Sequence, residues 1–134
     1  MRWTKKLSRT DAQQKTRGYP VPYIRLTRSD AAFDTQSTFR QTFFSPTRWS
    51  PGHFGQHAVE EQYVVFDVII NGVAKGQRRM LVTHDSSRQN NNNTPNTWIH
   101  YDDATIRDLR SINYTGKTIS ITRTLGGRFE FEIY

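Results

Sequence analysis

The chain has 134 residues, enough for one domain with its own core and too few for two ordinary ones. It carries 19 basic against 12 acidic residues, a net charge of +7, and no cysteine, which excludes disulfides, thiolate metal sites and thiol catalysis. No apolar run approaches the roughly 18 residues of a membrane-spanning helix and no signal-peptide core is present, so the cytoplasm is the expected compartment.

The elements read as follows in chain order. A short strand is expected around residues 3–7, then a polar loop. Residues 19–27 (YPVPYIRLT) have the look of an edge strand, because Pro20 and Pro22 each lack a backbone donor. Residues 34–44 form a candidate short helix, capped by Asp34, with Phe39 and Phe43 on one face and Pro46 ending it. Residues 45–55 (SPTRWSPGHFG) read as a loop. Residues 58–70 (AVEEQYVVFDVII) give the clearest strand, followed by Asn71-Gly72, a hairpin signal, and a return strand over 76–83. Residues 84–97 are a long polar loop and 98–101 a short strand. Asp102 or Asp103 caps a short helix reaching Ile112, with Ile106, Leu109 and Ile112 as its apolar face.

The chain closes in a hairpin. Ile119 and Ile121 alternate with Ser120 and Thr122, Gly126-Gly127 turns the chain, and Phe129, Phe131 and Ile133 alternate with Glu130 and Glu132. At least five strands, two short helices and no βαβ rhythm predict a mainly β, single-domain barrel or pseudobarrel over residues 1–134.

The charge is unevenly placed. Residues 1–28 hold eight basic residues and one acid, whereas residues 29–134 hold eleven of each. A localised basic patch suits a polyanion, nucleic acid before an acidic membrane; a merely solubilising tail is the plainer alternative. Arg outnumbers Lys fourteen to five, which favours bidentate contacts to phosphates and guanine edges.

Catalytic signatures are missing. No acid is followed two residues later by Lys, no His is followed two residues later by Lys, and neither a phosphate loop nor a zinc-finger spacing occurs. His53, His57, His84 and His100 are the only candidates for a metal or general-base site, and they would have to converge in space. The expectation is therefore no catalytic residue, no metal and no cofactor.

Two loops have the chemistry to bind DNA. Residues 8–19 (SRTDAQQKTRGY) combine Arg and Gln, which bond guanine and adenine edges bidentately, with small hydroxyl donors. Residues 84–98 offer Arg88, Gln89, Asn90–Asn93, Thr94 and Asn96, and compact domains seldom keep so long a loop without a use for it. A disordered tail and a low-complexity insertion are the respective alternatives.

At these residues the chain resembles a known family. The opening KKLSRTDAQ, a Thr-Arg-Gly step and YIRLT, then FDVIINGVAKGQRRMLVTHDSSRQ, NTWIHY, the helix, TGKTISITRT and GGRFEFEIY, are similar in order to the B3-like DNA-recognition domains of restriction endonucleases. The resemblance implies a seven-stranded pseudobarrel with two short helices. It also implies two protruding loops that enter the major groove of double-stranded DNA, an N-arm at residues 8–19 and a C-arm within 84–98. It further implies a prokaryotic, cytoplasmic protein that is either one domain of a parent enzyme with a separate nuclease domain or a stand-alone reader. On this reading base contacts are expected from Arg9, Asp11, Gln13, Gln14, Lys15, Arg17, Arg88, Gln89, Asn91, Asn92, Asn93 and Asn96. Phosphate contacts are expected from Arg2, Lys5, Lys6, Ser8, Thr10, Arg25, Arg28, Arg78 and Arg79. A single-strand or RNA binder of the OB type, a small His-dependent nuclease and a protein-interaction domain remain the rival readings.

Overall fold

A stretch rich in β-branched and aromatic side chains, buried at alternate positions from Gln62 to Ile70, makes residues 57–70 the centre of the sheet. The computed structural model describes residues 1–14, 18, 20–27, 37–88 and 96–134. Among them run eight strands: β1 (Arg2–Lys6), β2 (Tyr23–Arg25), β3 (Ser50–Phe54), β4 (His57–Ile70), β5 (Val73–His84), β6 (Thr97–His100), β7 (Thr118–Arg123) and β8 (Phe129–Ile133). One α-helix, α1 (Asp103–Ser111), and a five-residue π-helical turn, Phe39–Phe43, complete the fold. The protein is mainly β, and its sheet curls into an open half-barrel.

The strand order is β1-β7-β8-β4-β5-β6-β2, with β3 paired to the first part of β4. β4 buries Val64, Phe66, Val68 and Ile70 and turns Tyr63 and Val65 outward, so one face of the ribbon meets the core. Asn71 (φ 52°) and Gly72 (φ 77°) take the positive φ values that a tight hairpin turn needs. The return strand starts earlier than expected, at Val73, because a bulge between Val68 and Ile69 absorbs one extra residue of β5.

The seven strands implied by the resemblance become eight. β3 lies in a stretch that its prolines and glycines made look like loop, yet Ser50 to Phe54 pair antiparallel with β4. Pro51 is tolerated because β3 is a short outer strand. At Gly52 an added Cβ would come within 2.3 Å of Glu61 Oε2, so the Glu61 side chain would have to move aside.

Both helical pieces close the half-barrel. Phe39 and Phe43 are fully buried on one face of the π turn, as their spacing predicts, and stack among Phe44, Phe66 and Phe129. The expected cap at Asp34 lies outside the described residues. α1 begins at Asp102, whose carboxylate accepts from the Thr105 amide. Leu109 is buried and Ile106 partly so, but Ile112 is exposed and Thr105 takes the buried place expected of it. The two outer edges of the sheet approach one another: the Trp3 indole of β1 donates to the Thr27 carbonyl just beyond β2, at 2.8 Å.

In the closing hairpin Ile119 faces Ile133 and Ile121 faces Phe131, with Glu130 and Glu132 on the other side; Ser120 is buried as well. The Phe131 ring meets Phe66 at 6.0 Å and Tyr101 at 6.2 Å. Phe131→Ala should cost about 3–5 kcal/mol, as for other buried aromatic truncations. Urea denaturation checks this, and a loss below about 1 kcal/mol would contradict the burial of that ring.

Candidate nucleic-acid interface

The register decides which loops share an end of the sheet. Lys6 pairs with Thr118, and Ile119 pairs with Ile133, which pairs with Ile70. The loop after β1, the β4–β5 turn and the α1–β7 connection therefore leave the same end. His84 pairs with Glu60, ten residues before Ile70, so the connection from β5 to β6 leaves the opposite end. Ten strand residues span roughly 30 Å, against about 12 Å for a major groove. Residues 8–14 and the described ends of the second loop, 84–88 and 96–98, are therefore not neighbours. Residues 8–14 share their end of the sheet with the β4–β5 hairpin instead.

Residues 8–14 form a tight platform. The Ser8 amide donates to Asp11 Oδ2 at 3.0 Å and the Asp11 amide to Ser8 Oγ at 3.1 Å, a reciprocal pairing that closes the turn. Lys5 Nζ lies 3.0 Å from Asp11, and the buried Tyr101 hydroxyl donates to the Asp11 carbonyl at 2.9 Å. Burial, reinforced by the Asp11 charge, pushes the Tyr101 phenol well above its ordinary range, so it stays a donor. Gln13, left-handed at φ 58°, donates to the carbonyls of Thr10 (3.0 Å) and Val21 (2.7 Å). Gln14 reaches the Ala12 and Leu109 carbonyls, the second tying the loop to α1.

This geometry reassigns several expected base readers. Asp11 and Gln13 are buried and hold the loop together, and Gln14 anchors it to α1. Asn96 is buried beside the His84–Thr97 pair, and its carbonyl accepts from Asp85. Sequence alone showed their hydrogen-bonding groups but not the backbone groups nearest to them. Arg9 is exposed on the platform, beside Ser8 and the half-buried Thr10. Lys15, Arg17, Arg28, Gln89 and Asn91–Asn93 lie outside the described residues, and Arg88 ends a 3-10 turn at the far end.

The expected phosphate contacts divide in the same way. Lys6 is exposed at the platform end. Arg2 bonds the Tyr134 hydroxyl, Arg25 lies 5.2 Å over the Tyr23 ring and Arg79 3.9 Å over Tyr63. Arg78 is tied to α1 through Thr105 Oγ1 (3.1 Å) and Asp108 (2.7 Å). The platform end gains cations that sequence reasoning missed: Lys75, Arg107, Arg110 and Lys117, all exposed, with Lys75 3.8 Å from Asp108. They were hidden because residues 29–134 are neutral in sum, and a sum carries no positions.

The histidines do not converge. His53 and His57 are exposed on the β3–β4 hairpin, His84 is buried against Thr97 Oγ1, and His100 meets Thr83 Oγ1 at 2.9 Å. Among the described residues no group of three His, Asp or Glu side chains is placed to hold a metal ion. The Tyr23, Phe54, Trp98 and His100 rings pack on one another at 5.1–5.6 Å, which uses faces that a stacking site would offer to bases. No helix among the described residues is long and apolar enough to cross a membrane. Comparison with family models, curated proteins and solved structures gives no match to this chain.

Two outcomes test this site. Asp11→Ala should destabilise by about 1–3 kcal/mol, because it orphans the Ser8 amide and Lys5. Faster amide exchange in residues 8–14 should accompany the loss, and unchanged protection there would count against the platform. Separately, burial depresses His84 and His100 from 6.5 to about 4. Their lowered folded pKa contributes stability that is full above pH 6.5 and is lost as the pH falls toward 4. Urea midpoints should decline through that window, and His100→Gln should flatten the decline; an identical slope in the variant would refute the assignment.

Proposed function

We propose that the protein is a sequence-specific double-stranded DNA-binding module that grips its target with the platform end of the sheet. Arg9 on the 8–14 platform, Lys6 beside it, and Lys75, Arg107, Arg110 and Lys117 form a basic end facing solvent. The remaining cations of residues 15–17 extend from the same loop in sequence. That gathering is the observation that carries the proposal. A rigid platform suits the role, because an Arg reads a base edge only when its backbone is held in register with the groove. The β4–β5 hairpin supplies a second projection at the same end, with Lys75 and Gln77 exposed.

The resemblance to B3-like recognition domains supports the finer reading: a pseudobarrel serving as the target-recognition or effector part of a restriction endonuclease, with cleavage done by a separate nuclease domain. The sequence carries no nuclease motif of its own, which agrees with this division.

The test separates base reading from general attraction. Arg9→Ala should weaken binding to a site selected from random duplexes by about 1–3 kcal/mol and relax base choice at one position. Lys6→Ala should weaken all duplexes alike and lower the salt slope by about one unit. Lys75→Ala should also reduce affinity, whereas Arg88→Ala, at the opposite end, should not. Equal behaviour of all four variants, or preference for single strands over duplex, would overturn the proposal.

A further inference from the structure

β4 has a gap along one edge. On the side away from β5, β3 covers residues 57–61 and β8 covers residues 66–70, so among the described residues no strand lies beside residues 62–65. β3 and β8 both begin at this gap and run away from it in opposite directions, Ser50 opposite Glu61 and Phe129 opposite Phe66. A groove of about 290 Å³ opens there, lined by Arg48, Tyr63, Val65, Arg128 and Phe129 among others. An adjoining hollow of about 250 Å³ shares Arg48 and Phe129 and adds Arg123.

The groove combines three properties. It holds apolar surface, Tyr63 and Val65 being exposed at 53% and 49% on alternate positions of β4, with the Arg79 guanidinium 3.9 Å over the Tyr63 ring. Its rim is cationic. Arg128 is matched by Asp67 at 2.9 Å, Arg123 donates to the Thr42 and Phe43 carbonyls, and no ion pair among the described residues engages Arg48 or Arg123. Its length is that of a missing strand piece: four residues at about 3.3 Å each is roughly 13 Å. Edge positions of this kind are commonly blocked by Pro or by an inward charge. Here Gln62 and Val64 turn inward, and the Gln62 amide bonds the Ser45 carbonyl at the groove wall.

We propose that this groove binds a short extended peptide segment bearing carboxylates, which adds to the open edge of β4 between β3 and β8. Main-chain bonds to β4 would supply affinity, and carboxylates meeting Arg48 and Arg123 would supply selection for an acidic sequence. The alternating spacing of Tyr63 and Val65 favours a peptide, since side chains of a paired strand recur at the same period of two. The site is separate from the basic platform and does not depend on the DNA-binding proposal.

The probe is a fluorescein-labelled, end-capped Glu-Val-Glu-Val-Glu peptide, followed by anisotropy and by amide NMR shifts of the intact chain. Saturable binding is expected, with shifts centred on residues 62–65. Arg48→Gln should weaken it by about fivefold, the scale of a surface charge contact. Methylating alternate peptide nitrogens should weaken it by at least about tenfold, from the lost main-chain bonds. Failure to saturate, shifts centred elsewhere, or indifference to both Arg48→Gln and methylation would overturn the proposal. Displacement by single-stranded oligothymidylate at lower concentration than by unlabelled peptide would also overturn it, by showing a phosphate groove instead.

Discussion

β4 is the constraint on which the other elements depend, because it is paired on both edges and buried on one face. Its inward Val64, Phe66, Val68 and Ile70 fix the register of β5 on one side and of β8 on the other. A slip of one residue in either pairing would send these four side chains to solvent and bring Tyr63, Val65 and Asp67 inward. The parallel pairing of β4 with β8 follows from the long excursion through β5, β6, α1 and β7, which returns the chain to the same edge. With the register set, the positions of the loops at the two ends of the sheet follow.

Much of this was legible in the sequence, for physical reasons. Richness in β-branched and aromatic side chains marks β4, and period-two alternation marks the β7–β8 hairpin because one face of it meets the core. Asn71-Gly72 marks a turn because both positions take positive φ. The cap of α1 shows through Asp102 because a carboxylate at that place satisfies an otherwise unpaired amide. β3 was not legible. Its Pro51 and Gly52 oppose a strand locally, and the strand forms by pairing with the neighbouring β4. Nor could the sequence show that Asp11 and Gln13 face inward, since the Tyr101 hydroxyl and the Val21 carbonyl that surround them come from distant or unpatterned positions.

Charge shows the same distinction between what a count conveys and what a fold adds. Among the described residues, Glu60, Asp67 and Asp108 each hold an arginine, namely Arg40, Arg128 and Arg78. The acids thus neutralise cations along the strands and beside α1. The exposed lysines and arginines at the platform end come partly from the neutral stretch of the chain and add to the basic opening segment. Folding thus places exposed cations from the neutral stretch after residue 28 beside those of the basic opening segment.

The Trp3–Thr27 bond joins the first strand of the sheet to the second residue beyond its last, so the half-barrel is fastened along a seam rather than by a continuous ladder. A seam of few bonds is where an open sheet frays first. The segment between the two sides of that seam is the one that carries the basic platform. A polyanion held by residues of this segment would therefore act as a clasp across the seam. It would raise the melting temperature through the bound state alone, in proportion to the logarithm of its concentration, and slow the opening of β1 and β2 ahead of any other strand.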